Sequence, residues 1–134
     1  AVERTQIDAE LAAVSYTPES ILICLGANDV IALPTEANLK ADYQYIISAL
    51  HTKWSDAKIY LSKTWRRGYH DDSLTIAGWV DDLAALYSYV YVADNENVWL
   101  EGGDDGATMT VDGVHYTAAG NTAKASQMKT ILIP

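Results

Sequence analysis

Two short stretches of this 134-residue chain carry residue types that do chemistry, at spacings that allow it. Gly26-Ala27-Asn28-Asp29 follows the apolar run SILICL (20–25), and Asp112-Gly113-Val114-His115 precedes the run YTAAGNTAKA (116–125). An Asn on a turn that leaves a buried strand can aim its amide N–H into a cleft. There a neutral donor stabilises a developing oxyanion without any control of its own protonation. Gly26 permits a tight turn, and Asp29 would accept loop amide hydrogens and hold it. Taken alone, a Gly-x-Asn-Asp stretch is first of all an ordinary Asx-type turn.

An Asp three residues before a His, on a turn entering a helix, can fold its carboxylate back onto one ring nitrogen. That fixes the tautomer and leaves the other nitrogen as a general base. Alone, Asp112 and His115 read equally well as a surface Asp followed by a cap-region His. Metal ligation is disfavoured, because no second His or Cys stands at a suitable spacing. No Gly-rich phosphate loop follows a strand, which disfavours a nucleotide or flavin binder. No cofactor is expected.

Other residues carry weaker signals. Trp65, Arg66 and Arg67 follow a second apolar run and would line a substrate rim, with an Arg meeting an acidic or sugar-bearing substrate. The plainer reading is a solvated basic loop that offsets nearby acids. His51 lies late on a helix and reads as a C-terminal cap. His70 stands beside Asp71 and Asp72, but adjacent residues rarely form a working dyad. The stretch EGGDDGATMTVD (101–112) fits no EF-hand spacing and reads as a flexible lid or rim.

The elements that must position these groups follow from hydrophobic periodicity. Residues 3–14 space Ile7, Leu11 and Val14 as a helix, which Thr17-Pro18 ends. SILICL is short and continuously apolar, as a strand buried on both faces would be. Cys24 lies inside that run and reads as a buried, inert thiol. A helix from about Thr35 to Thr52 would bury Leu39, Tyr43, Ile46, Ile47 and Leu50, with Thr35 as its N-terminal signal. Residues 57–65 form a second strand, 74–87 a helix with Ile76, Val80, Leu83, Ala84 and Tyr87 inward, and 89–94 a third strand. Residues 95–111 read as loop, and Thr117 would cap a last helix from Ala118 to Leu132. Strands alternating with helices imply right-handed crossovers and a parallel sheet. The first strand reads as central, yet nothing before it can pair with its far edge.

Composition narrows the partners. A net charge of −9 and a pI near 4.5 disfavour nucleic acid and anionic membrane surfaces. No stretch approaches the ~18 apolar residues of a membrane span. Nine Tyr and four Trp with no Phe favour half-buried sites or a binding cleft. The chain reads as one domain, residues 1–134, and as N-terminally incomplete, since it opens within a helix without Met or a visible signal peptide.

Together the two motifs resemble the SGNH, or GDSL-type, ester hydrolase family. Gly26, Asn28 and Asp29 match its third conserved block, and Asp112 with His115 its fifth, shortly before the C-terminal helix; Tyr116 stands where Pro is common. The resemblance covers the whole chain and corresponds to the last two-thirds of a family domain. It implies a three-layer α/β/α fold with a parallel, flavodoxin-like sheet that lacks its first two strands here. It also implies serine-type hydrolysis of carboxylic esters bearing small acyl groups, on lipids, sugars or simple alcohols. The roles implied are base for His115, orienter for Asp112 and oxyanion donor for Asn28; the compartment is left unknown, extracellular or periplasmic being compatible with the resemblance. The Gly-Asp-Ser block and the second-block Gly are absent, and no serine from Ser15 to Ser126 matches their position. Two readings follow: the nucleophile comes from outside these residues, as on a companion N-terminal segment, or the chain is an inactive fragment or binding module. The uncovered strand edge would then take that segment or drive self-association.

Overall fold

The computed structural model describes residues 4–93, 108–112 and 115–132. Its elements run α1 (Arg4–Ala13), β1 (Ser20–Ile23), α2 (Asp29–Ala32), α3 (Glu36–Lys53), β2 (Lys58–Ser62), α4 (His70–Ala84), β3 (Val90–Ala93) and α5 (Ala118–Leu132). The strands form one parallel sheet in the order β1-β2-β3. Register sets Ile21 beside Ile59 and Ile59 beside Val90; one step on, Ile23 meets Leu61 and Leu61 meets Val92. Because side chains alternate along a strand, these six share one face. They join the main core with Leu39, Tyr43, Ile46, Ile47 and Leu50 of α3 and Ile76, Val80, Leu83 and Ala84 of α4. Ile7 and Leu11 of α1 pack against its rim. The result is an α/β fold in which helices cover a parallel sheet.

Helix starts have local causes. Thr35 caps α3, its hydroxyl oxygen accepting the Asn38 N–H at 3.3 Å. Thr117 does the same for α5, accepting from the Gly120 N–H at 3.1 Å. The end of α1 is tied to α3 by Lys53, whose Nζ donates to the carbonyls of Leu11 and Val14. The helix expected over 74–87 instead begins at His70 and ends at Ala84. Asp71 and Asp72 fall in its first turn, where a helix N-terminus favours negative charge. Tyr87 lies beyond the helix and packs against the core rim.

Two expectations about β1 need correction. The strand is not buried on both faces: Ile21 and Leu22 are only half-buried, and Cys24 is exposed rather than enclosed. The opposite face, where Leu22, Tyr60 and Tyr91 align in register, leaves Tyr91 42% exposed. β1 and β3 are the two edge strands of this sheet, with β2 between them. Among the described residues no strand pairs with the far side of β1, so the chain beyond Ile23 runs along an open margin. His51 does lie in the last turn of α3, but its ring stacks on Tyr89, with centroids 3.6 Å apart. Residues 94–107, which include most of the stretch read as a lid, lie outside the described residues.

Candidate active site

The chain leaves β1 through Cys24 and Leu25 into the turn at Gly26. The Leu25 carbonyl accepts from the Tyr43 hydroxyl at 2.9 Å and from the Thr64 hydroxyl. Gly26 then turns with φ +105°, which side chains other than glycine's rarely adopt. A Cβ there would stand 2.9 Å from Thr64 Oγ1. Backbone conformation and space thus demand the same residue. Gly26→Ala is expected to cost about 1–3 kcal/mol, read as a lowered denaturation midpoint.

Behind this turn Asp29 opens α2, a four-residue helix not anticipated from the sequence. Its backbone N–H donates to the Gly26 carbonyl at 2.9 Å, as does that of Val30 at 3.2 Å. Val30 is fully buried and pins the helix to the core. The turn is therefore held by its own backbone and by Val30. Asn28, directly before α2, is exposed. Gly26, Asn28 and Asp29 border a groove of about 580 Å³, whose opposite side is formed by Asn38, Asp42 and Tyr43 of α3 and by Arg4 of α1.

The second motif sits on a tight hairpin. Thr110 and Tyr116 form an antiparallel bridge, and the Val111 N–H donates to the His115 carbonyl at 2.8 Å. Within it Asp112 grips His115 twice. Oδ1 accepts the His115 backbone N–H at 2.8 Å, and Oδ2 lies 2.6 Å from ring Nδ1. With Nδ1 carrying the proton toward the carboxylate, Nε2 keeps its lone pair. The pair is open to solvent, with 80% of the His115 side chain and 53% of the Asp112 side chain exposed.

What relates the two motifs is the stretch after β2. Trp65 is 3% exposed and packs against Met109, Tyr116 and Ala123, a small apolar cluster apart from the main core. It does not line an open rim, as the sequence suggested. It lies beneath the hairpin that carries Asp112 and His115. The next residue, Arg66, reaches the other way: Nη1 donates to the Ala27 carbonyl at 3.3 Å and to Asn28 Oδ1 at 3.4 Å. Among the described residues it forms no ion pair, so it is not a solvated base offsetting local acids. Arg67 is half-buried in the following turn. Adjacent residues thus touch both halves of the site. Long-range pairing of this kind leaves no periodic trace, so sequence reasoning marked these residues but not their work.

This fold has counterparts among solved structures. A carbohydrate esterase family 3 protein from Talaromyces cellulolyticus superposes with a TM-score of 0.78 over 97% of this chain, at 19% identity. An acetyl esterase variant bearing an acetate ion does so with a TM-score of 0.66 over 87% of it, at 24% identity. The chain spans 63% of the first protein's length and 57% of the second's. At these identities the likeness is one of fold, and it defines the class: α/β proteins with helices packed on a parallel sheet. No curated protein matches the sequence. Residues 2–123 match the GDSL-like lipase/acylhydrolase family, and the chain belongs to that family.

Proposed function

We propose that this chain supplies the base, its orienter and an oxyanion donor for serine-type hydrolysis of a carboxylic ester, and that the serine comes from a segment outside these 134 residues. The observation that carries the reading is the pairing of His115 Nδ1 with Asp112 Oδ2 at 2.6 Å on a hairpin braced by the residue next to Arg66, which holds Asn28. In the proposed sequence the serine hydroxyl attacks the ester carbonyl while His115 Nε2 takes its proton. Asp112 holds the ring and steadies the positive charge it gains. Asn28 donates its amide N–H to the tetrahedral oxyanion, and His115 then returns the proton to the departing alcohol. Small acyl groups on sugars, lipids or simple alcohols are the proposed substrates; the relatives named as carbohydrate and acetyl esterases support the first of these.

Two of the serines in the described residues are enclosed and so are poor candidates for the nucleophile. Ser62 and Ser73 are buried, and Ser73 Oγ already accepts the Arg66 N–H at 3.2 Å. Among the described residues no strand covers the far edge of β1, which ends at Ile23, and a strand added in parallel there would point toward the Gly26–Asp29 turn that follows. That makes the edge the proposed seat of the companion segment. The chain alone is expected to hydrolyse p-nitrophenyl acetate no faster than its His115→Ala variant, and a clear His115-dependent rate would sink the external-serine reading. Adding a segment with Gly-Asp-Ser should restore turnover; failure to do so under any pairing would favour a binding module instead. The bare edge should also promote weak self-association, visible by sedimentation at several concentrations. Monomeric behaviour throughout would count against an adhesive edge.

A further inference from the structure

Arg66 is anchored before its side chain begins. Its backbone N–H donates to the buried Ser73 hydroxyl at 3.2 Å, and its carbonyl accepts from the Tyr69 N–H at 3.1 Å. Both partners belong to the start of α4, so the residue is clamped to that helix end. The guanidinium then passes over the Tyr69 ring, 5.8 Å from its centroid. From there Nη1 reaches across 38 residues of sequence to the Gly26–Asp29 turn and shares itself between the Ala27 carbonyl and Asn28 Oδ1.

A guanidinium has five N–H donors and no acceptor. Asn28 must therefore turn its oxygen toward Arg66, and the opposite amide orientation would set two donors face to face. This settles the orientation of a side chain whose oxygen and nitrogen are otherwise readily exchanged. With Oδ1 held, Nδ2 and both its hydrogens point away from the arginine. The positive charge sits on the acceptor side of the carboxamide and draws electron density toward Oδ1, which strengthens Nδ2–H as a donor.

We infer that Arg66 is a positioning residue: it fixes Asn28 with its N–H groups presented for an oxyanion. The inference rests on the reading of Asn28 as that donor, and it adds what makes the donor dependable. An exposed Asn that rotated freely would offer its oxygen about as often as its nitrogen. A developing oxyanion would then be repelled in part of the population.

The first test needs no turnover. In the ¹⁵N-labelled chain, Arg66→Ala is expected to shift or broaden the Asn28 side-chain amide signals while the backbone amides of Ile59 and Leu61 stay in place. Arg66→Lys, which keeps the charge and a donor, should fall between the two. An Asn28 side-chain signal indifferent to Arg66→Ala overturns the proposal. The second test uses the chain joined to its serine-bearing segment. There Arg66→Ala should lower kcat about tenfold to a hundredfold with KM unchanged, short of the ~10²–10³ that losing an oxyanion donor costs. In an Asn28→Ala background the same change should do nothing further. Full kcat in Asn28→Ala itself would remove the oxyanion reading, whereas a loss there with none in Arg66→Ala would remove only the role of Arg66.

Discussion

Alanine at position 120 should destabilise the protein, whereas alanine at position 78 should stabilise it, although both replace a glycine inside a helix. Removing glycine from a helix interior ordinarily gains about 0.5–1 kcal/mol. Gly78 in α4 is exposed and a Cβ there meets nothing within 4 Å, so Gly78→Ala should show that ordinary gain. Gly120 is buried, and a Cβ there would stand 2.1 Å from the Met109 carbonyl oxygen and 3.0 Å from its carbon. Both are backbone atoms that no rotamer change can move aside. To make room, α5 must withdraw from the hairpin, stretching the bond from the Thr117 N–H to the Met109 carbonyl, now 2.9 Å. The Thr117 hydroxyl would also lose its grip on the carbonyls of Thr108 and Met109. A loss of about 1–3 kcal/mol or more is expected, as for other overpacked sites. Denaturant midpoints of the two variants against the parent check the sign of each. A midpoint for Gly120→Ala at or above the parent's would show that the helix and hairpin are not in contact.

Much of the fold was legible because period and burial agree. Leu39, Tyr43, Ile46, Ile47 and Leu50 recur at helical spacing, and all five are buried against the sheet. Thr117, read as an N-cap, marked the start of α5, which its hydroxyl does cap. Reading failed where tertiary context decides. An apolar run looks the same in a central strand and in one whose far edge is bare, so Cys24 was assigned an enclosure that its neighbours do not provide. The start of α4 was missed because HDDS lacks apolar periodicity; its signal is electrostatic, two carboxylates in the first turn. Helix α2 is only one turn long, held by Val30 and two bonds to the Gly26 carbonyl, and a single turn has no period to detect.

The site divides along the same line. Asp112 and His115 are three residues apart, so their pairing is local and visible as a spacing. Asn28 and Arg66 meet because the parallel strands β1 and β2 bring their carboxyl ends together, as open α/β sheets do, and Trp65 meets Tyr116 across a long stretch of sequence. Tyr116 follows His115 directly and packs on Trp65, while its hydroxyl accepts from Lys124 Nζ at 3.1 Å one helix turn or more away. The hairpin therefore has fixed footings on β2's exit and on α5, even though its chemical groups stand in solvent.

If the proposed serine segment completes the site, the largest kinetic loss should come from His115→Ala, with Asp112→Asn close behind and revealing more. Removing the proposed base would leave the serine proton with no acceptor, and kcat should fall by about 10⁴ or more. Asparagine at 112 nearly preserves shape, yet it must choose between two jobs that the carboxylate does together. If its oxygen keeps the His115 backbone N–H, as Oδ1 does at 2.8 Å, its NH₂ faces Nδ1. Two donors cannot share that bond, so the ring shifts its proton to Nε2 and presents a donor where the base is needed. If the amide turns over, Nδ1 is satisfied but the backbone N–H loses its partner and the turn loosens. A loss of about 10²–10⁴ in kcat is expected, below the upper figure because the pair is solvent-exposed and water can partly replace the carboxylate. The ¹⁵N shifts of the His115 ring in the chain alone report the tautomer directly. They should show the proton on Nδ1 in the parent and a move toward Nε2 in Asp112→Asn. An unchanged ring tautomer alongside an unchanged rate would mean that Asp112 merely closes the turn, and that the orienter of His115 must be sought elsewhere.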